Sequence, residues 1–134
     1  MIVVDASVVV EFLMRTDTGR LARDRLFRDR ATLHAPHLLD VETAHALRRL
    51  HAAGQIDANR GREALGDLAE LRINRYPHDL LLMRIWELRA NLTAYDAAYV
   101  ALAEVLRAPL LTCDRRMAQA PGHSARVEIL GPPR

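Results

Sequence analysis

The chain contains no lysine: all 19 of its basic residues are arginine. That excludes a P-loop GK[ST] motif, Schiff-base chemistry and a lysine-assisted phosphoaspartate. It has one cysteine, Cys113, so it has no internal disulfide framework and no zinc-finger spacing. A reducing cytoplasm is the expected compartment. No stretch approaches the roughly 18 to 20 apolar residues of a membrane span. The N-terminal MIVVDASVVVEFL is apolar, yet it carries Asp5 and Glu11 and has no basic leader, so it is not expected to be a signal peptide. HExxH, GxSxG and GxGxxG are all missing, and the six histidines form no metal-binding spacing. Internal repeats, low-complexity tracts and linkers are also absent.

What remains is an ordinary globular composition. The 134 residues are half hydrophobic, enough for one domain over 1–134 with one core and a frayed tail at 131–134. A formal net charge of +2 with a pI near 9.2 is compatible with nucleic acid as a partner.

The organising stretch is LTAYDAAYVALAE, residues 92–104. It reads as a helix that is apolar on nearly every side and therefore buried. Asp96 sits in its first turn, and a buried carboxylate requires a cap, a basic group or a metal. Thr93 and Asp96 match a capping box, which is the structural alternative for this acid.

Apolar runs at 2–4, 32–35, 110–112 and 127–130, with a weaker one at 73–76, read as strands. Helices are expected between them: at 8–14 after Ser7, at 19–30 capped by Asp17 or Thr18, at 36–53 opened by Pro36 and stopped by Gly54, from Asp57 to 71, at 79–90 and at 115–120. On the 36–53 helix Leu39, Ala46, Leu50 and Ala53 share one face. Glu42 stands at its border without an arginine three or four residues on. The alternating charges of 19–30 read as a solvated face, with an RNA-contacting rim as the alternative. The 79–90 helix has more apolar surface than one sheet face requires, and Leu82 and Trp86 mark a candidate subunit interface.

Strands alternating with helices imply an α/β fold: three layers, with a short parallel sheet of four or five strands and helices on both faces. Right-handed crossovers place Asp5 and Asp114, which both follow apolar strands, at the same carboxyl edge. Asp5 read alone is a turn carboxylate or a metal ligand, and Ser7 read alone is a helix cap. Glu42 and Asp96 lie near helix starts that return to that edge. Four converging acids repel one another unless a cation sits among them, and oxygen-only donors suit Mg²⁺ or Mn²⁺. A cation so held activates water and stabilises charge on a phosphoryl oxygen, so hydrolysis is the simplest chemistry left open.

IVVDASVVV, the P-x₅-E segment from Pro36 to Glu42, LTAYDAAYVALA and LLTCD together resemble the PIN domain. More narrowly they are similar to the VapC-type toxin ribonucleases of bacterial toxin–antitoxin pairs, over residues 1 to 130. The resemblance implies an Mg²⁺- or Mn²⁺-dependent endoribonuclease acting on RNA, inhibited by a cognate antitoxin and commonly a homodimer. It also implies that Asp5, Glu42, Asp96 and Asp114 are the catalytic, metal-binding quartet, with Ser7 and Thr112 as hydroxyl-bearing neighbours. An acidic groove would attract an antitoxin segment whose arginine forks onto Asp5 and Asp96. Two other readings stand beside this one. A phosphotransfer protein with Asp5 as acceptor would call for a lysine that the chain lacks. A non-catalytic PIN-like module, binding RNA or protein, would call for a broken acidic quartet.

Overall fold

Ile2, Val3 and Val4 are β-branched and fully buried, as expected of a strand covered on both faces. They form β1 (Ile2–Val4), the middle strand of a five-stranded sheet with β2 (Leu33–Pro36), β3 (Ile73–Tyr76), β4 (Leu110–Thr112) and β5 (Val127–Ile129). The computed structural model describes residues 1–28 and 30–132. The strand order is β3-β2-β1-β4-β5, and every pairing is parallel. The order reverses at β1: the chain first steps outward to β2 and β3, then returns to lay β4 on the other side.

Parallel pairing demands crossovers, and helices supply them. α1 (Ala6–Met14) and α2 (Asp17–Phe27) join β1 to β2. α3 (Leu38–Ala52) and α4 (Ala58–Glu70) join β2 to β3. A 3-10 turn at Asp79–Leu81, α5 (Leu82–Glu87) and α6 (Ala94–Leu106) lead to β4, and α7 (Arg115–Gln119) leads to β5. Because the chain reverses direction across the sheet, right-handed crossovers put α5 and α6 on the face opposite α1 to α4. Contacts agree: α1 to α4 pack among themselves, whereas α5 packs on α6, and α6 on β1, β2 and β4. The α/β, three-layer expectation holds, with five strands.

The long apolar stretch at 92–104 is the core element it was expected to be. Ala97 to Ala103 are all buried, and four of these seven are alanine, which lets α6 lie close on the sheet. Gly19 plays the same part between α1 and α2: a Cβ there would stand 2.1 Å from the Glu11 carbonyl oxygen. Side-chain pairs tie outer elements down. Arg84 forks onto Glu104 at 2.9 Å, joining α5 to α6, and Arg25 holds Glu128 of β5 at 2.8 Å.

Several local expectations are corrected. The second helix is capped by Thr16, whose Oγ1 accepts from the Gly19 N–H at 2.9 Å, and not by Asp17 or Thr18. Pro36 closes β2 instead of opening α3; it pairs in register with Tyr76, and its missing N–H is tolerated at the strand end. The buried face of α3 is Leu39, Thr43 and Leu47, while Ala53 is exposed. The face is turned because Ala46 lines a cleft instead of entering the core. The expected helix at 79–90 is a 3-10 turn plus a short α5. The charges of α2 include ion pairs, as expected of a solvated face: Arg20 pairs with Asp17, and Arg25 with Glu128. Asp29 of that expected helix, and Pro133 and Arg134 of the expected tail, lie outside the described residues.

Candidate functional site

The crevice of an open parallel sheet lies outside the carboxyl ends of the strands where their order reverses. Here that place is between β1 and β4; Asp5 directly follows β1, and Asp114 stands two residues past the end of β4. The Asp5 N–H donates to the Leu111 carbonyl at 3.0 Å, which extends the β1–β4 ladder and sets the two strand ends side by side.

Two hydroxyls lock this junction. Ser7 Oγ and Thr112 Oγ1 both donate to Asp5 Oδ2, at 2.6 and 2.7 Å. In turn Ser7 Oγ accepts from the Cys113 N–H at 3.0 Å, and Thr112 Oγ1 from the Asp114 N–H at 3.0 Å. Each hydroxyl therefore relays a backbone donor of the β4 end to one carboxylate oxygen of the β1 end. The expected cap role of Ser7 is not what the structure shows: the N-cap position of α1 carries no side-chain cap bond. Burial is the main influence on Asp5 and pushes its carboxyl up. The two hydroxyls oppose that, and the charge of Asp96 reinforces it.

The other acids arrive from helices. Glu42, in the second turn of α3, accepts from the Tyr99 hydroxyl at 2.7 Å. Its carboxyl is raised by burial first, against the Tyr99 bond, with Asp5 and Asp96 adding to the rise. Asp96 opens α6. The Thr93 hydroxyl accepts from the Asp96 N–H at 3.2 Å, so half of the expected capping box forms. Among the described residues the return bond, from the Thr93 N–H to the Asp96 carboxylate, does not form. Burial and then the Asp114 charge raise Asp96, while Thr93 and Arg116 lower it. Asp114 caps α7 through Oδ1 on the Arg116 N–H at 2.9 Å, and its carboxylate is also forked by the Arg116 side chain.

All four acids, with Ser7, line a single cleft of about 1050 Å³. Thr112 stands behind it, fully buried. Reasoning from sequence missed several lining residues. Glu11 is one turn beyond Ser7 on α1, and its carboxylate bonds the Thr16 hydroxyl. Arg49 is two turns beyond Glu42 on α3, and Arg115 and Arg116 directly follow Asp114. Tyr99, one turn beyond Asp96, was missed as the Glu42 partner. Helical spacing from a known site residue, Ser7, Glu42 or Asp96, is the signal that would have found Glu11, Arg49 and Tyr99. The cleft thus has a carboxylate floor and an arginine rim.

Among the described residues no three His, Cys, Asp or Glu side chains form a ready-made metal cage. The donor set still fits one kind of ion. Three of the acids are raised, and their like charges contribute to each of these shifts, so a positive charge among them would be stabilised. The donors are all oxygen, and a small hard cation takes one or two carboxylates while keeping several waters, which needs no complete protein cage.

A family model described as the PIN domain matches residues 2–122. Ribonuclease VapC1 of Mycobacterium tuberculosis is 43% identical over 129 residues, 96% of each chain. Ribonuclease VapC9 of the same organism is 47% identical over 119 residues, covering 87% of this chain and 88% of that one. Among solved structures, VapBC2 from Rickettsia felis, bound to a DNA fragment from its promoter, superposes with a TM-score of 0.71 at 14% identity, over 98% of this chain and 100% of that chain. That last likeness bears on the fold alone.

Proposed function

This chain belongs to the PIN-domain family, and within it to the VapC ribonucleases; from that premise we propose that the cleft between β1 and β4 cuts RNA phosphodiester bonds as the toxin half of a toxin–antitoxin pair. The observation that carries the site assignment is the convergence of Asp5, Glu42, Asp96 and Asp114, from four separate segments, on one cleft at the strand-order reversal.

In this reading Asp5, Asp96 and Asp114, with Glu42, would hold Mg²⁺ or Mn²⁺. Such an ion supplies activation of water and neutralisation of charge on the phosphoryl oxygen. The protein does the rest. Ser7 and Thr112 hold Asp5 in place and favour its ionised form against the cost of its burial. The Tyr99 phenol, pushed up by burial and by Asp5 and Glu42, stays a donor and fixes the Glu42 carboxylate. A carboxylate raised like Glu42 is the better acceptor for a proton leaving the attacking water. Arg49 and Arg115 on the rim meet the phosphates on either side of the scissile bond. The non-catalytic alternative requires a broken quartet, and every acid lines the cleft. The whole chain acts as one PIN-like domain.

Purified protein is expected to cleave single-stranded or structured RNA with Mg²⁺ or Mn²⁺ and to stop on chelation. Attack by water breaks the bond from phosphorus to the 3′ oxygen, leaving a 5′-phosphate and a 3′-hydroxyl. Fragments ending in a 2′,3′-cyclic phosphate would refute the mechanism. The partner is a small antitoxin whose arginine reaches the carboxylates of the cleft, and the pair works in the cytoplasm. No helix among the described residues is long and apolar enough to cross a membrane. Expression of the chain alone is expected to arrest growth and co-expression of the antitoxin to restore it; unaffected growth at verified expression would count against the toxin role.

The active form is a homodimer. Leu80, Leu82, Met83 and Trp86 are 71%, 55%, 76% and 64% exposed, so Trp86 does not complete the core and the segment leaves an apolar face uncovered. Light scattering at tens of micromolar is expected to give a dimer mass for the wild type and a monomer mass for Trp86→Glu. A wild-type monomer would remove the dimer from this reading.

A further inference from the structure

The Asp114 carboxylate at the cleft is forked by an arginine side chain. Arg116 Nη2 lies 2.8 Å from Asp114 Oδ2, and its Nε lies 3.1 and 3.2 Å from the two oxygens. A separate bond, from the Arg116 backbone N–H to Oδ1 at 2.9 Å, caps α7 and orients the carboxylate whether or not the guanidinium stays. The two partners differ in exposure: the Arg116 side chain is 84% exposed and that of Asp114 only 23%. The guanidinium can therefore leave without a desolvation cost or any movement of the backbone. Arg49 and Arg115 line the same cleft and make no side-chain ion pair among the described residues. Arg116 stands on a carboxylate that a metal would need.

We propose that Arg116 is a resident counter-ion that a divalent cation displaces from Asp114, and that the released guanidinium then binds a phosphate of the RNA entering the cleft. This rests on the ribonuclease reading for its second half only. The physical reason is charge. Without a divalent ion, the floor of the cleft is acidic and a guanidinium fork is the best ligand Asp114 has. With one, a +2 charge repels the +1 guanidinium and competes for the same oxygens. On its flexible stem the guanidinium remains at the cleft mouth, where the incoming phosphates are the remaining anions and present the two-oxygen geometry that a guanidinium matches. Metal occupancy and substrate capture are thereby linked through one side chain.

The test uses the full chain and two measurements. Calorimetric titration with Mn²⁺, without RNA, reads displacement. Because the competing guanidinium is exposed, Arg116→Ala is expected to bind Mn²⁺ about two- to fivefold more tightly than wild type. Arg116→Lys, which keeps the charge and loses the fork, is expected to fall between. Cleavage kinetics at saturating Mn²⁺ read the hand-over: Arg116→Ala is expected to raise KM for a single-stranded RNA about fivefold with kcat little changed. It should also flatten the dependence of log KM on log salt by about 0.7, the share of one phosphate contact. Unchanged or weaker Mn²⁺ binding overturns the displacement. Tighter Mn²⁺ binding with unaltered KM and salt slope overturns the hand-over. A wild type that binds Mn²⁺ and cleaves no RNA overturns the ribonuclease reading and the hand-over with it, while the calorimetric comparison still decides the displacement.

Discussion

Replacing Asp96 with asparagine is expected to abolish RNA cleavage, by about a hundredfold or more, while raising the melting temperature of the metal-free protein. The two effects have one cause. Asp5, Glu42 and Asp96 are all raised in the folded protein, by burial first and by neighbouring acids in addition: Asp96 acts on Asp5, Asp5 and Asp96 act on Glu42, and Asp114 acts on Asp96. A carboxyl raised on folding costs stability above its folded pKa, and the cost is relieved as pH falls towards its unfolded value. At neutral pH the metal-free fold carries that cost. Asp96→Asn removes one of the like charges and should stabilise the chelated protein by about 1 kcal/mol, or about 4 °C for a domain of this size. It should also flatten the gain in stability that the metal-free wild type shows between pH 7 and pH 5.

The same substitution should erase the stabilisation that Mn²⁺ gives the wild type, because a bound ion stabilises only the state that holds it. Capping cannot produce this pattern. The cap bond at the start of α6 runs from the Asp96 main-chain N–H to the Thr93 hydroxyl, and the substitution leaves both in place. The measurement is a thermal melt of both proteins in chelator and in Mn²⁺, at pH 5 and 7. A mutant that melts lower in chelator and keeps the full wild-type shift with Mn²⁺ would make Asp96 a structural residue and take it out of the site.

Thr112→Val is expected to lower stability while leaving all four acids in place. Valine has nearly the shape of threonine, so packing is preserved and only the hydroxyl goes. That hydroxyl is fully buried and joins two groups. Without it, the Asp114 N–H loses its acceptor at 3.0 Å and Asp5 Oδ2 loses a donor at 2.7 Å. Leaving buried polar groups without partners costs about 1 to 3 kcal/mol, so a fall of about 2 kcal/mol in urea unfolding is expected. Activity should change in a way that mere destabilisation does not produce. The hydroxyl bond favours the ionised form of Asp5, so its loss raises that carboxyl further, and the acid limb of the pH–rate profile should move to higher pH. Thr112→Ser restores the hydroxyl and should return the limb to its wild-type position. A valine variant with wild-type stability and an unmoved acid limb would show that the relay between the β1 and β4 ends does not support Asp5.

Much of this protein is determined by the order of its residues. Short β-branched runs ending in acids, separated by helix-length segments, leave a parallel sheet as the only economical pairing, because parallel strands need long crossovers. The burial of α6 follows from a stretch with almost no polar face, and the four acids stand out because each breaks an apolar pattern at an element's end. Absence was informative in the same way: without lysine or a second cysteine, few chemistries remain for four carboxylates. What the sequence alone leaves open is whatever depends on distances across the chain. Ser7 looks like a helix cap until β4 brings Cys113 and Thr112 beside it, and Tyr99 looks like core until Glu42 arrives from α3. Pro36 looks like a helix start because its own backbone is suited to one; pairing with β3 instead makes it the end of a strand. Arg116 looks like one more surface charge, and its fork onto Asp114 depends on how α7 turns away from β4. Periodicity and propensity are local properties and survive in one dimension. Hydrogen-bond partners, pKa shifts and the sharing of a cleft arise from residues as far as 107 positions apart, and only the packing of the sheet and its helices brings those together.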